Sequence, residues 1–189
     1  PAPEGRWTEE QARRWYAALP WLVGCNYMPS HAINQLEMWQ AETFEPKTID
    51  QELGWAESLG FNAVRVFLHY ALFEQDASGF LGRLDEFLKI ADRHHIGTMF
   101  VLFDDCWNDE FKLGPQPAPR PGVHNSGWVR CPGSKMIAAP SRWGILESYT
   151  KGVIGAFRDD RRILAWDLYN EPGGPKTAME SGLFTLPSA

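Results

Sequence analysis

The chain has 189 residues, of which 44% are hydrophobic and 22% are charged, a composition typical of a globular domain with a sizeable core. Its formal net charge of −6 argues against a surface that binds nucleic acid or anionic lipid. No apolar run approaches the roughly 20 residues that a transmembrane helix needs, so no membrane association is expected.

The N-terminal residues 1–5 lack the basic start and the apolar stretch of a signal peptide. A chain without a leader would stay in the cytoplasm, whereas a leader that had been removed would place the protein outside the cell or in the periplasm. The compartment therefore stays open at this point.

Three cysteines, Cys25, Cys106 and Cys131, match no zinc-binding spacing and are too few for a disulfide framework. We expect three free thiols, with a single Cys106–Cys131 pair as the alternative. No metal or other cofactor is predicted.

The hydrophobic pattern predicts a leading helix and then four repeats of strand, loop and helix, within a single domain covering residues 1–189. The predicted strands are 21–26, 63–68, 98–103 and 163–169. The predicted helices are 8–19, 46–59, 81–95 and 141–157, the last capped by Ser141. Residues 1–20 form the leading segment, and residues 176–189 are predicted to be an irregular tail.

The alternation of strands and helices predicts a parallel α/β sheet with right-handed crossovers. The strands are nearly continuous apolar runs, as expected where helices cover both faces. An open doubly wound sheet and a (βα)8 barrel both fit. Long strand-to-helix loops, 27–45 and 104–140, contrast with short returns at 60–62 and 96–97, and this asymmetry favours the barrel.

Tryptophan is frequent, with nine residues in the chain. Trp39, Trp107 and Trp128 lie in polar, irregular stretches rather than at helix or strand spacing. An exposed indole offers a flat apolar face and an N–H donor, which suits the C–H face of a sugar ring. Two interpretations stay open for these residues: contacts to a saccharide, or anchors that fix long loops.

The tripeptide Asn170-Glu171-Pro172 directly follows the apolar run 163–169, where a buried strand is predicted to open into a cleft. A carboxyl group partly removed from water can stay protonated and donate a proton to a glycosidic oxygen. We therefore predict that Glu171 is catalytic and that the amide of Asn170 holds a sugar hydroxyl. The alternative is a solvated turn.

Arg65 lies inside an apolar strand, and strand spacing places Arg65, Phe67 and His69 on one face. A guanidinium in such surroundings needs a partner. One interpretation is a structural ion pair with Asp167, and the other is an arginine that orients a catalytic carboxylate. His69 is predicted to bind substrate at the mouth of the second strand, or else to be a satisfied loop residue.

Asp104 and Asp105 end the third strand. Their carboxylates could bind sugar hydroxyls or a cation, or could cap the loop. No neighbouring group completes a metal site, so Asp104 is predicted as a substrate contact rather than a metal ligand.

These strands together resemble the clan-A glycoside hydrolases, the cellulase- and mannanase-like retaining (βα)8 barrels. The segments that carry the resemblance are 22–27, LVGCNY, 62–66, NAVRV, and 166–172, WDLYNEP, and it extends over roughly 21–172. The resemblance implies hydrolysis of a β-linked oligo- or polysaccharide with Glu171 as acid/base. It also implies that Asn170 contacts the sugar 2-hydroxyl and that Arg65 supports the nucleophile.

The chain departs from that family in two places. Family members often carry a histidine two residues after an aspartate on strand three, where this chain has Asp104-Asp105-Cys106. The family's nucleophile is a glutamate on strand seven, which has no predicted counterpart here, and Glu180 lies in the tail without a strand or helix pattern. We therefore expect a (βα)4 N-terminal half of a barrel.

Four parallel strands cannot close a barrel. Strands one and four would expose their edges, and Phe67, Leu102 and Trp166 would expose apolar surface. We expect a homodimer or higher homo-oligomer joined through strand edges. The predicted function is a glycoside hydrolase or a truncated half of one, and the alternative is a non-catalytic carbohydrate-binding or self-assembling module.

Overall fold

A computed structural model describes residues 5–172 of the chain. Four strands form one sheet in the order β1-β2-β3-β4. They are β1 (Gly24–Asn26), β2 (Ala63–Phe67), β3 (Gly97–Asp104) and β4 (Ile163–Asn170). Every neighbouring pair is parallel, which confirms the predicted parallel α/β sheet. The predicted tail 176–189, with Glu180, lies outside the described residues.

Helices connect successive strands as the sequence predicts. They are α1 (Glu9–Ala17), α2 (Gln35–Trp39), α3 (Pro46–Ser58), α4 (Tyr70–Gln75), α5 (Ala77–Arg93), α6 (Ser134–Ile137) and α7 (Trp143–Phe157). Helix α5 begins earlier than predicted because the Asp76 side chain accepts a hydrogen bond from the Gly79 amide at 2.9 Å and caps it. No helix within residues 5–172 is long and apolar enough to cross a membrane.

The predicted cap of the last helix is wrong. Ser141 lies inside a 3₁₀ turn, Pro140–Arg142, and α7 starts after it at Trp143 without a side-chain cap. The predicted single long loop after β3 also contains the short helix α6. Short helices of this kind are not visible as a hydrophobic period, because one turn is too short to show it.

The core lies between the sheet and helices α5 and α7. Phe80 and Phe87 of α5 and Phe100 of β3 are all fully buried. Tyr149 of α7 is also buried, and its hydroxyl donates to the Leu102 carbonyl at 3.1 Å. Burying one large apolar side chain stabilises the fold by about 1.5–3 kcal/mol, so this layer holds the helices on the sheet.

The outer strands differ from the prediction that both faces are covered. All three residues of β1 are exposed, whereas β2 and β3 are largely buried. The expected apolar exposure of the inner residues is wrong, since Phe67 is only 7% exposed and Leu102 is 0% exposed. Trp128 of the long loop packs on Phe67 with ring centroids 6.2 Å apart, and this contact helps to bury the Phe67 ring.

Trp166 is half-buried rather than exposed, because its ring lies 5.9 Å from that of Phe100. The exposed large apolar residues are found elsewhere. Trp21 is 84% exposed before β1, and Leu168 is 54% exposed on β4. Other exposed apolar side chains lie at helices α1 and α3, including Tyr16 at 69% and Trp55 at 58%.

Candidate active site

The candidate site lies where the strands β2, β3 and β4 end. The carboxyl ends of parallel strands meet at one edge of a sheet, where α/β proteins place their ligands. Register brings Asp104 of β3 opposite Asn170 of β4, and Glu171 follows directly. The structure thus brings together Arg65, Asp104, Asn170 and Glu171 from the predicted set.

Arg65 is the centre of a hydrogen-bond network. Its Nε and Nη2 atoms donate to Asp167 Oδ2 at 3.0 Å and 2.5 Å. Nη2 also donates to Asn170 Oδ1 at 2.8 Å, and Nη1 donates to Asn26 Oδ1 at 3.2 Å. The guanidinium carbon lies 4.8 Å from the centre of the Phe67 ring. The ion pair with Asp167 is confirmed, and the same arginine also orients Asn170.

Asn170 joins this arginine to Asp104. Its Nδ2 donates to Asp104 Oδ1 at 2.8 Å, and the Cys106 backbone amide donates to the same oxygen at 3.0 Å. Asp104 is 2% exposed. Burial raises the pKa of its carboxyl, while the bonds from Asn170 and Cys106 oppose that rise. Asp104 therefore serves the network that orients Asn170.

Glu171 ends this network at the rim of the sheet. Its φ of 47° lies in the left-handed region, which is uncommon for a residue with a side chain. Its Oε2 lies 3.4 Å from Cys106 Sγ. The expectation that this carboxyl is partly removed from water is not met, because the residue is exposed.

Two backbone bridges fold the long loop after β3 back on itself. They pair Asp104 with Cys131 and Asn108 with Val129. As a result the rings of Trp107 and Trp128 meet edge to face, 5.4 Å apart, although they are far apart in sequence. Both residues are half-buried.

Arg130, which the sequence pattern did not single out, fixes this loop. Its Nε donates to the Trp107 carbonyl at 3.2 Å. Its Nη1 lies 4.0 Å from an Asp105 oxygen and 3.9 Å from an Asp109 oxygen. The exposed His124 also contacts Trp107, with ring centroids 5.2 Å apart. These contacts hold the Trp107 backbone in its positive φ of 76°.

The interpretation of Trp39 as a saccharide contact is wrong. Trp39 is 0% exposed, and its ring lies against Phe44, Phe80 and Phe87. Its Nε1 donates to the Phe67 carbonyl at 2.9 Å. Of the two interpretations that the sequence left open, the anchor applies here, because α2 turns the side chain into the core.

The prediction that His69 binds substrate is also wrong. His69 is 0% exposed and packs edge to face on Phe111, with centroids 4.4 Å apart. Its Nε2 lies 2.9 Å from the Arg130 carbonyl, and its Nδ1 accepts from the Ala71 amide at 3.2 Å, which caps α4. Burial lowers its pKa to about 4, and the bond to Arg130 opposes the shift.

The three cysteines are free thiols, as expected. Cys131 is buried, and its Sγ accepts from the Tyr70 amide at 3.4 Å. Cys25 is exposed on β1. Within residues 5–172, no group of three or more histidine, cysteine, aspartate or glutamate residues could hold a metal ion.

Sequence reasoning did not assign a site role to Asn26 or Cys106. Both lie at or just after the carboxyl end of a strand, at the edge of the sheet where Glu171 lies, and that position could have identified them as site candidates. Asn26 ends β1 and contacts Arg65, while Cys106 lies two residues beyond the end of β3. The carboxyl ends of parallel strands face one cleft, so polar residues at these ends are site candidates before any motif is considered.

No protein-family model matches this chain, and no curated protein matches it. Among solved structures, an exo-β-1,4-mannosidase from Opitutaceae bacterium strain TAV5 is similar, with a TM-score of 0.57 and 22% identity over 82% of this chain. An endo-1,4-β-mannanase from Rhizomucor miehei matches at 20% identity over 76% of the chain, and a β-mannanase from the blue mussel Mytilus edulis at 19% over 80%, each with a TM-score of 0.49.

The chain spans 26% of the exo-mannosidase and 45% and 41% of the two mannanases. At this level of identity the likeness to the exo-mannosidase concerns the fold. It confirms the predicted α/β fold, part of a (βα)8 barrel. The described residues form a parallel four-stranded sheet with helices that follow β1, β2 and β3, as in part of such a barrel.

Proposed function

We propose that this chain is the N-terminal half of a retaining glycoside hydrolase that acts on a β-linked oligo- or polysaccharide, with Glu171 as the acid/base. One observation carries the proposal. Glu171 follows β4 at the carboxyl edge of the sheet, beside an asparagine that is oriented by both Arg65 and Asp104. A carboxyl group at this edge is well placed to meet a ligand bound across the strand ends.

In the proposed reaction Glu171 protonates the glycosidic oxygen as the bond breaks and later removes a proton from the attacking water. A retaining enzyme also needs a second carboxylate, about 5–5.5 Å away, to form the glycosyl-enzyme bond. In this proposal that nucleophile belongs to the other half of the barrel. Asn170 holds the sugar hydroxyl next to the bond that is cleaved.

Hydrolysis tests the proposal directly. The 189-residue chain, Glu171→Gln and Glu171→Ala are incubated with aryl β-mannosides, β-glucosides and β-xylosides in the presence of azide, a small anion that can attack the sugar in place of the carboxylate assigned to the other half. The β-mannosides come first because a fold neighbour is an exo-β-1,4-mannosidase. Removal of a general acid should lower the rate about 10²–10⁴-fold. Glu147→Gln is the matched control, since Glu147 pairs with Lys151 on α7.

A second function is favoured by the aromatic pair. The rings of Trp107 and Trp128 lie 5.4 Å apart and both residues are half-buried, and partly exposed indoles can stack on sugar rings without any catalysis. This alternative is a carbohydrate-binding module. Titration of tryptophan fluorescence with β-linked oligosaccharides, for the native chain and for Trp107→Ala and Trp128→Ala, measures it.

The two measurements separate the candidates. Hydrolysis that disappears in Glu171→Gln supports the enzyme. Binding that depends on the tryptophans, with no hydrolysis in any variant, supports the binding module. A chain that neither binds nor hydrolyses any of these saccharides contradicts both.

The proposed partner at the open strands is a second copy of this chain. β1 and β4 are the outermost strands of the described sheet, and every residue of β1 is exposed. Leu168 adds an exposed apolar side chain on β4. Strand edges and apolar surface of this kind favour association. Light scattering should give at least twice the chain mass, and a stable monomer would contradict self-association.

A further inference from the structure

The thiol of Cys106 lies beside the carboxylate of Glu171. Cys106 Sγ and Glu171 Oε2 are 3.4 Å apart, which is hydrogen-bond distance for sulfur. The Cys106 backbone amide donates to Asp104 Oδ1 at 3.0 Å, so the chain turns back at the end of β3 and presents the thiol to the rim. Cys106 is half-buried, and it is held by the backbone of this turn.

The other two cysteines have different surroundings. Cys131 is fully buried, and its Sγ contacts the Leu102 carbonyl at 3.4 Å. Cys25 is exposed on the edge strand. Cys106 is therefore the cysteine whose side chain reaches the proposed acid.

We propose that Cys106 is a positioning residue that donates its S–H to the Glu171 carboxylate and holds that carboxylate in place for proton transfer. This inference rests on the proposed function for its catalytic meaning, whereas the contact itself stands on the geometry. When Glu171 is ionised, the Cys106 thiol must be the donor of this pair, because a carboxylate only accepts hydrogen bonds. A donor fixed by the turn at Asp104 restricts the carboxylate to fewer orientations.

Asp104 connects this contact to the rest of the site. Asp104 Oδ1 accepts from both the Asn170 side chain and the Cys106 amide. Asn170 Nδ2 lies 3.7 Å from Cys106 Sγ. One carboxylate oxygen thus ties the residue that is proposed to hold the sugar to the residue that holds the acid.

Thiol reactivity reports on this contact without any turnover. Burial, the charge of Asp104 and the bond to Glu171 together raise the pKa of Cys106 to about 12. The thiolate is the reactive form, so the native chain should alkylate slowly at this position. Glu171→Gln removes a negative charge and a strong acceptor, and should therefore increase the thiolate fraction.

The first experiment alkylates the native chain and Glu171→Gln with iodoacetamide at about pH 8, and mass spectrometry of the Cys106 peptide gives the rate. We expect the rate to rise at least about threefold, since each unit of thiol pKa changes the thiolate fraction about tenfold. Iodoacetamide is neutral, so the charge change does not alter its approach. Glu147→Gln should leave the rate unchanged. Equal rates in native chain and Glu171→Gln would overturn the contact.

The second experiment compares two substrates whose leaving groups differ in their need for protonation. Cys106→Ala should slow hydrolysis of phenyl β-glycosides, which need an acid, and spare dinitrophenyl β-glycosides, which do not. Cys106→Ser retains a donor and should restore the rate. An equal loss for both leaving groups would show a structural role and overturn the positioning role. If alkylation responds to Glu171→Gln but no variant cleaves any glycoside even when azide replaces the missing nucleophile, the contact is supported and the proposed function is contradicted.

Discussion

Acid should destabilise this protein in part through His69, because the fold holds this imidazole in its neutral form. Nε2 lies 2.9 Å from the Arg130 carbonyl and Nδ1 accepts from the Ala71 amide, a pattern that only a neutral ring with one N–H satisfies. Burial lowers the pKa of His69 to about 4 from its ordinary 6.5, against the opposing effect of the Arg130 bond.

The sign and size of the effect follow from this shift. The unfolded chain binds the proton more tightly than the folded chain. The stabilisation is therefore fully present above pH 6.5 and is lost progressively as the pH falls from 6.5 to about 4. The difference between 6.5 and about 4 corresponds to about 3 kcal/mol. About 2 kcal/mol of this is lost by about pH 5.

Urea unfolding between about pH 7 and pH 4 measures the loss in the native chain and in His69→Asn. Asparagine retains an acceptor for the Ala71 amide and does not titrate in this range. The variant starts less stable, but its free energy of unfolding should fall by about 3 kcal/mol less over the interval. Paired carboxylates titrate in both proteins, so the difference isolates His69.

His124→Asn serves as the matched control. His124 is exposed in the folded chain, so its substitution should leave the pH dependence as in the native chain. If the native chain and His69→Asn lose stability in parallel across the whole interval, the reasoning from burial is refuted.

Three substitutions test the packing of the sheet and its site. Trp39→Phe removes the N–H bond to the β2 carbonyl and should cost about 1–3 kcal/mol in urea unfolding. Arg65→Lys keeps the positive charge but loses the planar guanidinium that bonds to both Asp167 and Asn170. It should lower the free energy of unfolding by about 1–2 kcal/mol. Gly24→Ala would place its Cβ 1.9 Å from the Ala63 carbonyl oxygen and should cost at least about 1–3 kcal/mol, whereas Gly155→Ala meets open space on α7 and should be neutral or stabilising.

The order of the helices and strands was predictable because each type of element imposes its own spacing on the apolar residues. Apolar residues at helical spacing predict α3, α5 and α7, and short apolar runs between them predict the strands. The two-residue period of a strand placed Arg65 on the same face as Phe67, and the structure has their side chains in contact. The edge position of Glu171 followed from the end of β4.

The fate of the tryptophans was not predictable from spacing. Trp39 and Trp128 both lie in irregular stretches, yet one is fully buried and the other lies at the rim. The difference depends on where each loop runs. α2 turns Trp39 inward, whereas the bridge between Asn108 and Val129 carries Trp128 over β2. Such long-range backbone pairing has no local signature in the sequence.

Asn170 shows why this site needs an amide rather than a carboxylate or an apolar group. Its Oδ1 accepts from the Arg65 guanidinium at 2.8 Å, and its Nδ2 donates to Asp104 at 2.8 Å. A carboxylate could accept from the arginine but would face the Asp104 oxygen with nothing to donate, and an apolar side chain would leave both partners unpaired. The arginine and the aspartate thus fix which way the amide points. Nδ2 also lies 3.7 Å from Cys106 Sγ, so the amide contacts the thiol that lies beside Glu171. Arg65 of β2 and Asp104 of β3 therefore orient Asn170, and Cys106 of the following loop contacts the acid, so this geometry can be tested in this chain independently of the nucleophile.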